Sequence, residues 1–302
     1  MADDSLRASI EVRGLTKNFG KLTAVSSLTL SVRAGEVVGF LGPNGAGKTT
    51  TIRVLMGFLR PTAGSCEVLG ASLGRSPGLR QRVGYLPGDF RVDGALTGRD
   101  LLTWFGALRK DFDRRRVDGL AERLHLDLSR RFSELSKGNR QKVGIIQAFM
   151  HEPDVLILDE PTSGLDPLMQ REFLALVDEA KERGAAVFFS SHVLPEVSRV
   201  ADRVAIIREG RLVTTSTVDE LLDHARHRLE LRYSAPVRAD SFIGVPGVAS
   251  AEASGRNVNL TVDGPVGPAL AVAASIDGLL RVTSAGDELE QVFVSLSGEG
   301  AE

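Results

Sequence analysis

The order of alternating and continuous apolar stretches predicts an α/β chain over the first 215 positions. Ile10–Val12 and Leu28–Val32 alternate apolar with polar residues, the pattern of strands that bury one face. Val37–Leu41 and Val155–Asp159 are unbroken apolar runs, as expected of strands covered on both faces. Between them lies a helical stretch, Lys48–Leu59, with Ile52, Leu55, Met56 and Leu59 at helical spacing and Arg60-Pro61-Thr62 as its stop. Gly64–Gly70 and Val83–Leu86 read as short strands. Residues 98–109, 113–125 and 137–150 then read as helices, and Pro153 ends the last. The α/β alternation returns with helix 168–182, strand Ala186–Ser190, helix 193–201, strand Val204–Arg208, a turn at Glu209-Gly210 and strand Leu212–Thr214. Such alternation predicts a mostly parallel sheet, with residues 90–150 as a helical insertion.

The pattern changes after Thr217, which with Glu220 forms a capping box for a helix running to about His227. Beyond it the order is strand Leu229–Tyr233, a short helix near 240, strands Val248–Ala253 and Val258–Val262, helix Pro268–Ser275, strand Leu279–Thr283 and helix Glu288–Ser297. That order fits a small split βαβ unit with a tail helix. The expected organisation is a main domain over 1–220 and a small α+β domain over 221–302.

Composition narrows the class. Two domains fit 302 residues at roughly 150 per domain. Lys+Arg (37) and Asp+Glu (39) nearly balance, so no basic surplus points to nucleic acid as a partner. A single cysteine, Cys66, excludes a disulfide framework and is expected to be inert. No apolar run approaches the ~20 residues of a membrane helix, and no apolar signal core follows the polar N-terminus. A cytoplasmic protein is expected, with any membrane association made through a partner.

The chemistry concentrates at the ends of predicted strands. Gly42-Pro43-Asn44-Gly45-Ala46-Gly47-Lys48-Thr49 matches G-x-x-x-x-G-K-[ST] between a strand and a helix. Glycines there let successive N–H groups turn towards phosphate oxygens, and the helix start adds positive potential. Lys48 supplies a cation for the β- and γ-phosphates and Thr49 a hydroxyl for Mg²⁺. Thr50 is placed for a further phosphate contact. Val155–Asp159 ends in the acid pair Asp159-Glu160, which needs a cation partner if buried. Neighbouring positions on a strand face opposite ways, so Asp159 is assigned to Mg²⁺ through water and Glu160 to an attacking water as general base. His192, beyond strand Ala186–Ser190, is assigned to the γ-phosphate or to that water.

Seven segments in this order resemble the nucleotide-binding subunits of ABC transporters. Phe19-Gly20 resembles the aromatic loop that stacks on adenine, and Gly42–Thr49 the Walker A loop. Tyr85-Leu86-Pro87-Gly88-Asp89 stands where the Q-loop belongs, and Leu135-Ser136-Lys137-Gly138-Asn139-Arg140-Gln141 resembles the signature. Leu156–Glu160 resembles Walker B, Ser163-Gly164-Leu165-Asp166 the D-loop, and His192 the switch histidine. The resemblance implies a P-loop NTPase of ABC type with an antiparallel β subdomain. It implies two copies, or this chain and a relative, packed head to tail over two Mg-ATP. Ser136, Gly138 and Asp166 would serve the nucleotide across that interface. It also implies an integral membrane permease docked on the helical insertion and Q-loop. The YLPG-acid form and the Leu289-Glu290-Gln291-Val292-Phe293 ending resemble ABC-2-type exporters.

Three departures stand out. Gly88 occupies the Q-loop glutamine position, leaving Asp89, a backbone group or water to meet the metal. Lys137 and Asn139 replace glycine and glutamine in the signature. Phe19 replaces the commoner tyrosine and keeps the stacking ring. Trp104, Phe105, Met56, Met150 and Met169 are expected to be packing residues. The arginines of 109–131 and Arg140 are expected on solvated faces or against a partner. His125, His151, His224 and His227 show no ligand spacing, although His224 and His227 are placed three apart on one helix. Alternative readings are a non-transport ABC ATPase and an ATP-sensing subunit, and the cargo is open.

Overall fold

The computed structural model describes residues 8–92, 94–109, 113–223 and 226–284. Two compact units divide the described chain, one running to Thr215 and the other from Ser216, with Val193–Pro195 grouped with the second.

In the first unit six strands form one sheet in the order β5-β6-β7-β3-β8-β9: β3 (Val37–Leu41), β5 (Val83–Leu86), β6 (Val155–Asp159), β7 (Ala186–Ser191), β8 (Arg203–Arg208) and β9 (Arg211–Thr217). The first five of that order run parallel, and β9 turns back from β8 at Glu209-Gly210. Every residue of β3, β6 and β7 is buried, which is why their sequences are apolar almost without a break. Phe40 of β3 and Phe188 of β7 meet at 5.2 Å between ring centroids. A second, antiparallel sheet has the order β2-β1-β4, from β1 (Ala8–Phe19), β2 (Leu22–Arg33) and β4 (Ala63–Val68). β1 and β2 are 12 residues each, much longer than the sequence pattern predicts. Their outer ends carry polar residues and register shifts, which break the alternation while the hydrogen-bonded ladder continues.

Helix α1 (Lys48–Leu55) stops four residues before the predicted end, because Gly57 takes φ 71° and turns the chain. The insertion contains α2 (Gly98–Ala107), α3 (Arg114–Arg123), a 3-10 turn at Phe132–Glu134 and α4 (Lys137–Phe149). Then come α5 (Pro167–Glu182) and α6 (Leu194–Val197), a single turn where 193–201 is predicted. Phe149, Phe173 and Phe189 stack edge to face and join α4, α5 and β7.

Several side chains differ from expectation. Trp104 is 55% exposed, not packed inside the insertion. Arg123 is not a free solvated charge: it donates to Glu172 at 2.6 Å and to both Glu179 oxygens at 2.6 and 3.0 Å, pinning α3 to α5. That fork holds the Glu179 carboxyl below its usual range. Arg140 donates to the carbonyls of Phe132 and Ser133 and lies over the Phe132 ring. Met56, Met150 and Met169 are buried as expected. Cys66 is half-buried, and burial pushes its thiol up to about 12.

In the second unit the Thr217–Glu220 capping box forms with both bonds, at 2.9 and 3.2 Å. Its helix α7 (Val218–Asp223) is shorter than predicted, and β10 (Arg226–Tyr233) already contains His227. His227 therefore stands on a strand, and His224 lies outside the described residues. With β11 (Val248–Ser254), β12 (Asn257–Asp263) and β13 (Leu279–Ser284), β10 forms an antiparallel sheet in the order β11-β12-β10-β13. This is the split βαβ arrangement, with a 3-10 turn at Ala239–Phe242 as the first connection and α8 (Gly267–Ser275) as the second. Leu229, Leu231, Tyr233, Phe242, Leu260 and Ala273 share its core, and the Tyr233 hydroxyl donates to the Ala273 carbonyl at 3.1 Å. The tail helix predicted over 288–297 and the Leu289–Phe293 ending lie outside the described residues. Among the described residues no helix is long and apolar enough to cross a membrane.

His151, just beyond α4, generates a pH prediction. Its Nε2 meets the Val83 carbonyl at 3.3 Å, and burial first, with Arg109 and Arg116 adding repulsion, lowers its pKa to about 4. Asp154 opposes the shift. The folded chain thus keeps this imidazole neutral where the unfolded chain protonates it. Stability is full above the unfolded value near 6.5 and falls as pH drops towards about 4. The loss is at most about 3 kcal/mol. Urea denaturation of His151→Gln at about pH 7 and pH 4.5 should show a smaller acid loss than the parent chain. Identical losses would refute the assignment.

Candidate active site

Strand register assembles the site. Leu41 pairs with Ser191, and Asp159 with Ser190. The carboxyl ends of β3, β6 and β7 therefore lie in a row, and the residues that follow them, Gly42, Glu160 and His192, emerge together. The ends of parallel strands are where open α/β sheets bind ligands.

The loop after β3 wraps into the start of α1. Gly47 is the residue before α1 and takes φ 108°, and a side chain there would strike the Ala24 carbonyl at 2.6 Å. The Pro43 carbonyl accepts from Ala46 N, and the Ala46 carbonyl accepts from Gly210 N, which anchors the loop to the β8–β9 turn. Asn44, Gly45 and Thr49 are exposed at its rim, while Thr50 is half-buried. Lys48 is buried at the centre: its Nζ donates to the Gly42 carbonyl and, at 3.2 Å, to that of Pro43, and lies 3.3 Å from Glu160 Oε1.

Asp159 is 2% exposed. The Ser190 hydroxyl donates to its Oδ1 at 2.6 Å, and Gly88 approaches its other oxygen: a side chain at 88 would lie 3.3 Å from Oδ2. Glu160 lies just beyond the last residue of β6 and takes φ 47°, so a turn and not strand alternation directs its side chain. Its Oε2 meets His192 Nδ1 at 2.8 Å. Its Oε1 is buried with no hydrogen bond aligned on it, although the Lys48 ammonium is near. The predicted trio Lys48, Glu160 and His192 is thus one contact chain, with Asp159 next to it in sequence.

These residues suit a magnesium nucleotide. The buried Asp159 carboxylate and the exposed Thr49 hydroxyl are oxygen donors on neighbouring elements. Magnesium is usually held by one or two such donors, with phosphate and water completing the shell. Among the described residues no cluster of three or more His, Cys, Asp or Glu side chains forms a self-sufficient metal site. Asp89 is one of three groups expected to stand in for the Q-loop glutamine. Its carboxylate pairs with Arg91 at 2.7 Å on an exposed stretch, and Gly88 is the residue that lies against Asp159.

Phe19 ends β1 with its ring 47% exposed and Lys17 Nζ 4.9 Å from its centroid, a platform open to a flat group. Ser136 is the N-cap of α4, its hydroxyl accepting from Asn139 N at 3.3 Å. Gly138 faces the loop after the acid pair so closely that a side chain there would strike the Gly164 carbonyl at 2.5 Å. Lys137, the departure from the usual signature, donates to the Ser163 hydroxyl at 3.1 Å. Asp166, expected to serve the nucleotide across an interface, caps α5 and accepts from Leu168 and Met169 N at 3.0 Å through Oδ1. Those bonds hold its carboxyl below the usual range. The sequence reading gave no role to Ser190 or Gln141, both buried beside Glu160. A buried amide three residues past a glycine in a helix start was the available signal.

Comparison with known proteins agrees with this geometry. The family described as ABC transporter matches residues 25–163. The bacitracin transport ATP-binding protein BcrA of Bacillus licheniformis is 34% identical over 96% of this chain and 98% of its own length. The probable multidrug ABC transporter ATP-binding protein YbhF of Escherichia coli is 38% identical over 70% of this chain, which spans only 38% of that longer protein. Among solved structures, an ATP-binding subunit of an ABC transporter is 32% identical with a TM-score of 0.65, covering 70% of this chain and 91% of its own. The ABC transporter cassette MJ0796 shares the fold at 21% identity and a TM-score of 0.63, over 69% of this chain and 98% of its own. With a relative matched end to end and the phosphate loop, acid pair and histidine assembled on one sheet edge, the chain belongs to the ATP-binding proteins of the ABC transporter family, whose nucleotide-binding domain hydrolyses ATP.

Proposed function

We propose that this chain hydrolyses Mg-ATP to drive export through a separate membrane permease. The observation that carries the reading is the contact chain Lys48–Glu160–His192 at the mouth of the phosphate loop, at 3.3 and 2.8 Å. Phosphate entering the loop competes with Glu160 for the Lys48 ammonium. Glu160 is then left with one oxygen held by His192 and the other directed at the loop, the position of a general base. It takes a proton as water attacks the γ-phosphorus. The bond to the β–γ bridging oxygen breaks and ADP departs with that electron pair. Thr49 directly and Asp159 through water would hold magnesium, which would neutralise charge on the phosphates. Backbone N–H groups within 44–49 and the α1 N-terminus bind the phosphates, and Phe19 stacks on the base.

A second copy, or a related ATPase, completes each site. Ser136 and the Gly138 amide at the N-terminus of α4 form an anion-directed surface separate from the chain's own phosphate loop in sequence, suited to the γ-phosphate of a partner. The MJ0796 cassette was solved as a dimer. The permease is placed on a groove of about 540 Å³ beside the Q-loop position, lined by Phe58, Tyr85, Pro87, Phe90, Phe105 and Leu108. Phe58 and Leu108 are each more than half exposed, and the exposed Trp104 extends the apolar rim. BcrA and YbhF are named for bacitracin and multidrug transport, which favours an export cargo of that class. The second unit is assigned to dimer support or regulation.

Two outcomes are expected. Glu160→Gln should lower ATP turnover by roughly 10²–10⁴-fold and leave nucleotide affinity nearly unchanged. Wild-type turnover in a clean preparation would remove Glu160 as the base. Native-locus tagging and gentle membrane solubilisation should recover a multi-spanning protein at near-equal stoichiometry, and Leu108→Glu should abolish that recovery without lowering basal ATPase activity. A soluble partner in its place would favour a non-transport ATPase.

A further inference from the structure

The Glu160 backbone is the one strained point in the contact chain. It takes φ 47°, a left-handed conformation that is strained for a residue with a side chain. Neither side-chain partner explains how it is held. His192 is exposed over half its side chain, and Lys48 is committed to two carbonyls of its own loop. The backbone is instead gripped from both sides by buried groups. On one side Ser190 Oγ accepts from Glu160 N at 3.0 Å. A hydroxyl has one proton, and that of Ser190 is given to Asp159 Oδ1 at 2.6 Å. Its lone pairs are therefore turned to the Glu160 amide, and the two acids of the pair are clamped by one oxygen. On the other side the Gln141 amide donates to the Glu160 carbonyl at 3.2 Å and to that of Pro161 at 2.9 Å. Ser190 is wholly buried and Gln141 nearly so, and the positions are fixed by β7 and α4.

We propose that Ser190 and Gln141 are positioning residues that hold Glu160 in its left-handed conformation and so keep its carboxylate at the phosphate loop. Without them the backbone relaxes towards φ < 0 and swings the side chain away from the water it must deprotonate. Gln141 also ties this conformation to the signature helix, five residues past Ser136. The inference rests on Glu160 as the base, and the test separates the two.

The variants are Ser190→Ala, Ser190→Thr, and Gln141→Met, which keeps length and removes both donors. Each is measured in the full chain with Mg-ATP. Ser190→Ala and Gln141→Met should lower kcat about tenfold or more while KM and the affinity for a fluorescent ATP analogue change less than about threefold. Ser190→Thr, which keeps the hydroxyl, should retain most turnover. Without nucleotide, amide hydrogen exchange at Asp159 and Glu160 should accelerate in the first two variants only. Added to Glu160→Gln, neither substitution should lower turnover further. Normal kcat in Ser190→Ala and Gln141→Met beside an impaired Glu160→Gln overturns the proposal and leaves the base in place. Parallel loss of nucleotide affinity overturns it too, because the role is then structural. If Ser190→Ala does not fold, Gln141→Met decides alone.

Discussion

An ionised carboxylate taken out of water costs several kcal/mol unless nearby groups bond to it, and β6 ends by burying one. The surroundings of Asp159 answer that constraint. The Ser190 hydroxyl takes one oxygen, and the absence of a side chain at Gly88 leaves room at the other. The Lys48 ammonium stands near the following acid. The all-buried strands β3, β6 and β7 supply the rigid edge on which these groups meet. A sheet exposed on one face would let water screen the same charges and would weaken their hold on one another.

The same constraint explains the division of labour between adjacent acids. Asp159 points into the sheet edge, where it is dry and held. Glu160 points out to a mixed environment with His192 at the rim. A strand end followed at once by a left-handed residue thus gives two neighbouring carboxylates different surroundings. The register of β6 against β7 then decides which serine reaches the acid: a shift of one residue would turn Ser190 away.

Much of this was legible in the sequence because its signals are local. The phosphate loop, the acid pair, the strands that precede them and the Thr217–Glu220 cap all depend on residues within a few positions. Features set by distant partners were not. The outer halves of β1 and β2 are strands because they pair with each other, and Lys17 or Thr23 alone carries no such signal. Arg123 looked like one of many surface arginines until α5 placed Glu172 and Glu179 seven residues apart on the face it meets. Trp104 reads as a packing residue of the insertion, yet α2 turns it to solvent. Asp166 also caps the helix that begins beside it, a local role that the sequence carries in Asp-Pro at a helix start. Ser190 and Gln141 went unassigned because hydroxyls and amides acquire a role only from what surrounds them.

The approach of Gly138 to Gly164 changes how variants at the signature should be interpreted. Three ties join the start of α4 to the segment behind the acids: backbone contact at Gly138, the Lys137–Ser163 hydrogen bond, and the Gln141 amide on Glu160 and Pro161. A side chain introduced at 138 must push the 160–164 loop, because its nearest neighbour is a backbone carbonyl that cannot rotate aside. In the proposed dimer, inactivity of such a variant is therefore ambiguous between a lost contact to a partner's phosphate and displacement of Glu160 in its own subunit. Mixed dimers carrying the substitution in one subunit would reveal which of the two nucleotides stops turning over.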